Sequence, residues 1–159
     1  MKAGVLHARD DIRYEEVQTP EPKAGEVLVK VKYSGICGSD VPRVNEDGAH
    51  FYPIVLGHEF SGIVEEVGDG VTKVKKGQRA AGAPLVPCMK CEDCMKGDYA
   101  LCNDYRFIGT RQAGSFAEYI CVPEQNVVPF EDTVSFEQGA LFEPAAVALH
   151  GLECLPYEG

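Results

Sequence analysis

The sequence predicts a mainly β domain: a partly open barrel of short strands, with short helices and a loop lobe in which cysteines cluster. Three observations carry that expectation. Runs of β-branched residues alternate with polar ones and are separated by turn-rich segments. Seventeen glycines and ten prolines in 159 residues supply the tight turns that many short strands require. Four of the seven cysteines, Cys88, Cys91, Cys94 and Cys102, sit close together in one turn-rich stretch. The length suits one domain with a real core.

Taken in order, residues 2–8, 12–17 and 26–34 read as strands, with a proline-rich loop at 19–25 between the last two. Within 26–34, Val27, Val29, Val31 and Tyr33 should point to one face, Lys30 and Lys32 to the other. Strands at 60–67 and 79–83 follow, divided by Gly68-Asp69-Gly70 and Lys75-Lys76-Gly77, and strands at 118–122 and 126–129 continue the pattern. The period changes only near the end. Residues 135–139 begin a helical segment, and Pro144 fits the first position of a last apolar helix over about 144–155, where its missing N–H has no partner to lose. No internal repeat or low-complexity tract occurs.

Charge and cysteine usage narrow the function classes. With 15 Lys+Arg against 25 Asp+Glu, the net charge is −10, which argues against a surface that must meet phosphate backbones, so no nucleic-acid partner is expected. No apolar run approaches the roughly 18 residues of a membrane span, and His7 and Arg9 come too early for the apolar segment of a signal peptide. An odd cysteine count with one tight cluster fits a reducing compartment and metal binding better than a disulfide framework. A cytoplasmic location without membrane attachment is the expectation.

Cys88-x2-Cys91-x2-Cys94-x7-Cys102 has the spacing of a closed four-thiolate zinc site, and Lys90 and Lys96 stand near to offset thiolate charge. An iron–sulfur cluster is the competing reading, but the bacterial pattern has three residues before its last cysteine and a proline after it. Here the gap is seven and Asn103 follows. A second constellation joins Gly35-Ile36-Cys37-Gly38-Ser39-Asp40 to Gly57-His58-Glu59-Phe60-Ser61-Gly62. With Glu143 it offers a thiolate, an imidazole and two carboxylates, enough for a catalytic zinc with three protein ligands and an open position. Asp40 is a candidate acceptor for the other ring nitrogen of His58. Taken singly, either Cys37 or His58 is more often an ordinary core or loop residue.

The run Gly57-His58-Glu59-x2-Gly62-x5-Gly68-x2-Val71 resembles the zinc signature of the medium-chain dehydrogenase/reductases, and the Cys37 loop and four-Cys lobe stand in that family's order. Glu143-Pro144 occupies the place of a further cysteine ligand in the simple alcohol dehydrogenases, which makes the chain similar to the polyol dehydrogenase branch. The resemblance covers the whole chain. It implies that residues 1–159 form a GroES-like catalytic domain holding one catalytic and one structural zinc. It also implies a nicotinamide-binding Rossmann half outside these residues, since no Gly-x-Gly-x-x-Gly occurs in them and the helix at about 144–155 would lead toward it. NAD(P) is therefore expected only in the intact enzyme, which the resemblance makes a homo-oligomer.

For chemistry, the resemblance implies oxidation of a secondary alcohol whose hydroxyl takes the open zinc position and whose hydride passes to the nicotinamide. Cys37, His58 and either Glu59 or Glu143 would hold that zinc, and Ser39 would relay the proton. Where several relatives place a relay histidine this chain has Pro42, which carries no exchangeable proton, so the exit must run elsewhere, near Glu59 or Glu143. For a sugar-alcohol phosphate substrate, Arg43, His50 and Arg111 are the candidate anion-binding residues, and Tyr52 and Phe107 candidate pocket walls. The plain alternative leaves both arginines as solvated charges. A free polyol is the rival substrate. From other classes, a zinc-ribbon binding module leaves Gly57-His58-Glu59 unexplained, and a catalytically silent zinc-stabilised domain would hold one metal rather than two.

Overall fold

The computed structural model describes residues 1–155. Ten strands run in the order β1 (Lys2–Ala8), β2 (Asp11–Glu16), β3 (Glu26–Gly35), β4 (Ile54–Val55), β5 (Glu59–Val67), β6 (Arg79–Gly82), β7 (Leu85–Val86), β8 (Arg106–Phe107), β9 (Tyr119–Pro123) and β10 (Val127–Pro129). Two short helices lie among them, α1 (Asp40–Asn45) and α2 (Glu92–Lys96), and two follow the last strand, α3 (Phe136–Ala140) and α4 (Phe142–Glu153). All the strand ladders are antiparallel, in sheets ordered β2-β1-β4, β10-β6-β5-β3-β9 and β7-β8. The first two are stitched by an Ala3–Ala117 bridge, so the sheets wrap into a half-barrel with short helices at its rim, a mainly β fold.

The main core is the inside of this wrap, where Val27, Val29, Phe60, Val64, Ile108 and Val122 pack together. A smaller cluster of Leu6, Ile54 and Leu56 closes the β1–β4 side. Gly82 lies so close to Phe60 that a Cβ there would overlap the ring, so glycine lets β6 seat on the core.

The alternation expected along β3 holds only in part. Val27 and Val29 are buried, but so is Leu28, because β3 is a central strand between β5 and β9 and is covered on both faces near its start. Tyr33 is 47% exposed, since a bulge between Val31 and Tyr33 shifts the register and turns its side chain out.

Two helices start differently from expectation. The last runs Phe142–Glu153, two residues ahead of the expected start, and Pro144 is its third residue rather than its first. Pro42 is likewise the third residue of α1, a helix the sequence does not advertise. Both are tolerated for one reason: N–H groups of the first turn have no intrahelical acceptor, so proline removes nothing. The segment at 135–139 becomes α3, capped by Ser135 with a reciprocal Gln138 bond. Phe142 packs edge-on against Phe130 at 5.5 Å, anchoring the start of α4. Beyond it, Val147, Leu149, Leu152 and Leu155 are each more than half exposed. Among the described residues, no helix is long and apolar enough to cross a membrane.

Candidate active site and metal centres

Strand pairing builds the first metal group. β3 and β5 run antiparallel with Gly35 opposite Glu59, so the end of one lies beside the start of the other. Cys37, just past β3, and His58, just before β5, are thereby brought to the same rim. The ligand atoms of Cys37, His58 and Glu59 all lie within 4.8 Å of one another. Two glycines make this possible. Gly57 has φ +91, and a side chain there would also strike Phe116 and Ser115. A Cβ on Gly35 would collide with the Glu59 carboxylate, so the carboxylate lies over bare backbone.

Around these ligands the polar groups are ordered. Ser39 Oγ donates to Cys37 Sγ at 3.2 Å, and Asp40 Oδ2 accepts from Cys37 N at 3.2 Å. Asp40 is 2% exposed, and its Oδ1 lies 3.7 Å from His58 Nδ1. Both of these buried atoms lack a hydrogen-bond partner. Two facing unpaired atoms are costly in isolation, but the pair suits an imidazole that gives Nε2 to a metal and keeps its proton on Nδ1 toward the carboxylate. The donor set therefore fits zinc. Burial pushes the Asp40 carboxyl above its ordinary range, with His58 and the Cys37 N–H pulling the other way. Asp40→Asn is expected to weaken zinc binding here about 10–100-fold while the four-cysteine lobe stays loaded; competition against a chelator of known affinity measures it.

Glu143 stands outside this group of three. From the first turn of α4 it reaches the same neighbourhood: burial pushes its carboxyl up, His58 opposes, and the charge of Glu59 adds to the rise. Glu143, on α4, and Phe107, on β8, both line a cleft of about 500 Å³ between α4 and the β6–β7 turn. The Phe107 ring meets His58 edge-on at 5.6 Å. Asn126, buried at 2%, fixes that turn by donating to the carbonyls of Ala83 and Leu85 at 2.7 and 2.6 Å. The sequence reading does not single it out, taking it as the first residue of the strand at 126–129, whereas the strand begins at Val127.

The second metal group is the lobe between β7 and β8. Its four cysteine sulfurs also lie within 4.8 Å of one another. Between positions 88 and 105 only Cys94 and Cys102 are buried, so the lobe has no apolar core of its own. The backbone N–H groups of Lys90 and Cys91 lower the Cys88 thiol to about 6, while burial raises Cys94 to about 12. Lys96 is engaged by Glu92 at 2.7 Å, leaving backbone N–H groups the larger share of thiolate stabilisation.

The expected anion-binding residues separate. Arg43 turns inward, donating to the Ser39 carbonyl and lying 3.7 Å from Asp40, so it braces the loop of Cys37. His50 and Arg111 share an open cleft with Arg106, which the sequence reading does not name. Tyr52, expected as a pocket wall, is 37% exposed and lines neither cleft.

Comparison with known proteins agrees with this geometry. The alcohol dehydrogenase GroES-like domain matches residues 23–132. Over 151 residues the chain is 47% identical to galactitol 1-phosphate 5-dehydrogenase of Escherichia coli, covering 94% of this chain and 44% of that protein. It is 41% identical over 140 residues to L-threonine 3-dehydrogenase of Rhizobium etli, covering 86% of this chain and 41% of the relative. The crystal structure of the E. coli galactitol-1-phosphate dehydrogenase superposes with a TM-score of 0.93 at 46% identity, over 96% of this chain and 44% of that one. A zinc-binding dehydrogenase structure from Sinorhizobium meliloti with NADP bound gives 0.90 at 38% identity, over the same shares. The chain thus spans less than half the length of these relatives. It belongs to the alcohol dehydrogenase GroES-like domain family.

Proposed function

We infer that the chain is the catalytic part of an NAD(P)-dependent dehydrogenase that oxidises a secondary hydroxyl of a polyol phosphate, galactitol 1-phosphate being the favoured substrate. The observation that supports it is the Cys37–His58–Glu59 group, with Ser39 on the thiolate and Asp40 behind the imidazole. Zinc, when bound there, supplies the Lewis acidity that makes an alcohol easier to deprotonate. Cys37 and His58 would hold it with Glu59 as third ligand, while Glu143, outside that group of three, feels the charges of His58 and Glu59 from the start of α4. Ser39 Oγ stands beside the thiolate, placed to take the substrate's proton. Pro42 cannot pass that proton on, so it leaves toward Glu59 or Glu143; burial pushes the Glu143 carboxyl up, which suits it to accept a proton. Asp40 fixes the tautomer of His58, and Arg43 fixes Asp40.

The nicotinamide is contributed by a coenzyme domain in sequence outside residues 1–159, and the exposed apolar face of α4 faces that domain. The intact enzyme is a cytoplasmic homo-oligomer. The substrate of the E. coli relative carries its phosphate on carbon 1 and reacts at carbon 5, four C–C bonds of about 1.5 Å apart, so the phosphate lies well away from the metal. The test is substrate profiling of a longer protein carrying this chain, with NAD and NADP. Higher kcat/KM on galactitol 1-phosphate than on galactitol, sorbitol or L-threonine is expected. Preference for a free polyol would move the assignment to the sorbitol-like branch.

A further inference from the structure

The six arginines of this chain have different fates. Arg9, Arg13 and Arg43 each lie within 4 Å of a carboxylate. Arg79 donates to the Val134 carbonyl and stacks on Phe136 and Phe130. Arg106 and Arg111 have no carboxylate partner among the described residues. Together with His50, Phe51 and Tyr105 they line an open cleft of about 410 Å³ that contains no acidic residue. In a chain of net charge −10, a concave surface with two arginines, a histidine and no carboxylate is the exception. The field of the rest of the molecule repels anions, so only a local concentration of cations can hold one.

The cleft is also partly organised. The Arg111 guanidinium sits 4.5 Å over the Tyr105 ring, a stacking contact that restricts its motion. The Arg111 backbone N–H donates to the Phe107 carbonyl at 2.9 Å, so this arginine is tied to the residue whose ring meets His58. Arg106 precedes Phe107 in β8 and points to the opposite face of the strand. Phe107 therefore links the cleft to the metal group: its ring meets His58, Arg106 precedes it in the strand, and its carbonyl accepts from Arg111. His50 comes from the loop that follows α1, the helix beginning at Asp40.

We propose that His50, Arg106 and Arg111 form the subsite for the phosphomonoester end of the substrate, and so select polyol phosphates over free polyols. This rests on the substrate reading given under Proposed function. Arg111 offers a forked donor edge to two phosphate oxygens, Arg106 and His50 neutralise the remaining charge, and the sugar chain crosses β8 toward the metal group.

The test titrates this chain, loaded with zinc, with inorganic phosphate, galactitol 1-phosphate, galactitol and NADP, followed by NMR. Phosphate and galactitol 1-phosphate should shift the resonances of His50, Arg106 and Arg111, and galactitol should leave them in place. Arg106→Ala and Arg111→Ala should each weaken phosphate binding about tenfold or more, with Lys75→Ala unchanged and the lobe's metal content intact. Arg111→Glu should abolish it. Unchanged binding in the Arg106→Ala/Arg111→Ala variant overturns the proposal, as do shifts confined to NADP. In the longer protein the same double variant should raise KM for galactitol 1-phosphate with little change in kcat. If the longer protein instead prefers galactitol, the substrate reading fails, while the phosphate titration of the cleft still decides whether the anion subsite stands.

Discussion

Cys94→Ser is expected to empty the four-cysteine lobe of zinc and to lower the stability of the domain by more than about 3 kcal/mol. Serine supplies a harder and shorter donor where a buried thiolate is needed, and the lobe has little else to fold around. Its two buried side chains are both cysteines. Its neck is a two-residue ladder, Leu85 opposite Phe107 and Val86 opposite Arg106. Losing the metal should therefore unravel residues 88–105 while the Phe60 and Val64 core persists. Phe107 sits in that neck, so the wall beside His58 should loosen as well. Metal content, denaturant midpoint and amide exchange of the lobe are the measurements. A variant with full zinc and an unchanged midpoint would show that the lobe is held by something other than metal.

The 159-residue chain by itself is expected to leave NAD and NADP unreduced with any polyol, while a longer protein carrying it turns over. Hydride transfer requires the nicotinamide to be held against the reacting carbon, and such positioning accounts for about 7–11 kcal/mol of barrier lowering. A dinucleotide fold uses a parallel sheet with crossover helices and a glycine-rich turn. Every strand ladder among the described residues is antiparallel, and the sequence has no Gly-x-Gly-x-x-Gly. Absorbance of reduced cofactor during incubation with galactitol 1-phosphate reads the outcome. Turnover by this chain at an ordinary dehydrogenase rate would mean that the domain binds cofactor by itself.

Much of this molecule was legible in the sequence. The longer strands declare themselves because β-branched residues pack in alternation against a half-buried sheet, and the cysteine lobe declares itself because short spacings let the thiolates converge locally. The two-residue strands β4, β7 and β8 leave no periodic signal at all. Helix α1 was hidden by Pro42, which reads as a breaker until its place in the first turn is known. The members of the Cys37 group were named in advance, but their division was not: whether Glu59 or Glu143 lies nearer depends on the Gly35–Glu59 register and on where α4 begins. Arg43 and Arg111 look alike as residues. Only the fold shows that one braces Asp40 and the other faces open space. Arg106 escaped notice because its meaning comes from a neighbour five positions away and a histidine from a distant loop.

The two metal groups differ in how much of the chain must be in place before they exist. The lobe's four sulfurs lie within a single short stretch, so closing that loop costs little chain entropy and requires no sheet. The Cys37 group exists only after β3 has zipped onto β5 with Gly35 opposite Glu59, a non-local event that comes later in assembly. A nascent chain offered scarce zinc will thus capture it first at the lobe and form the second site only as the half-barrel closes. Scarcity of metal then yields a folded scaffold with an incomplete reaction centre, and activity, rather than solubility, becomes the first casualty of zinc limitation.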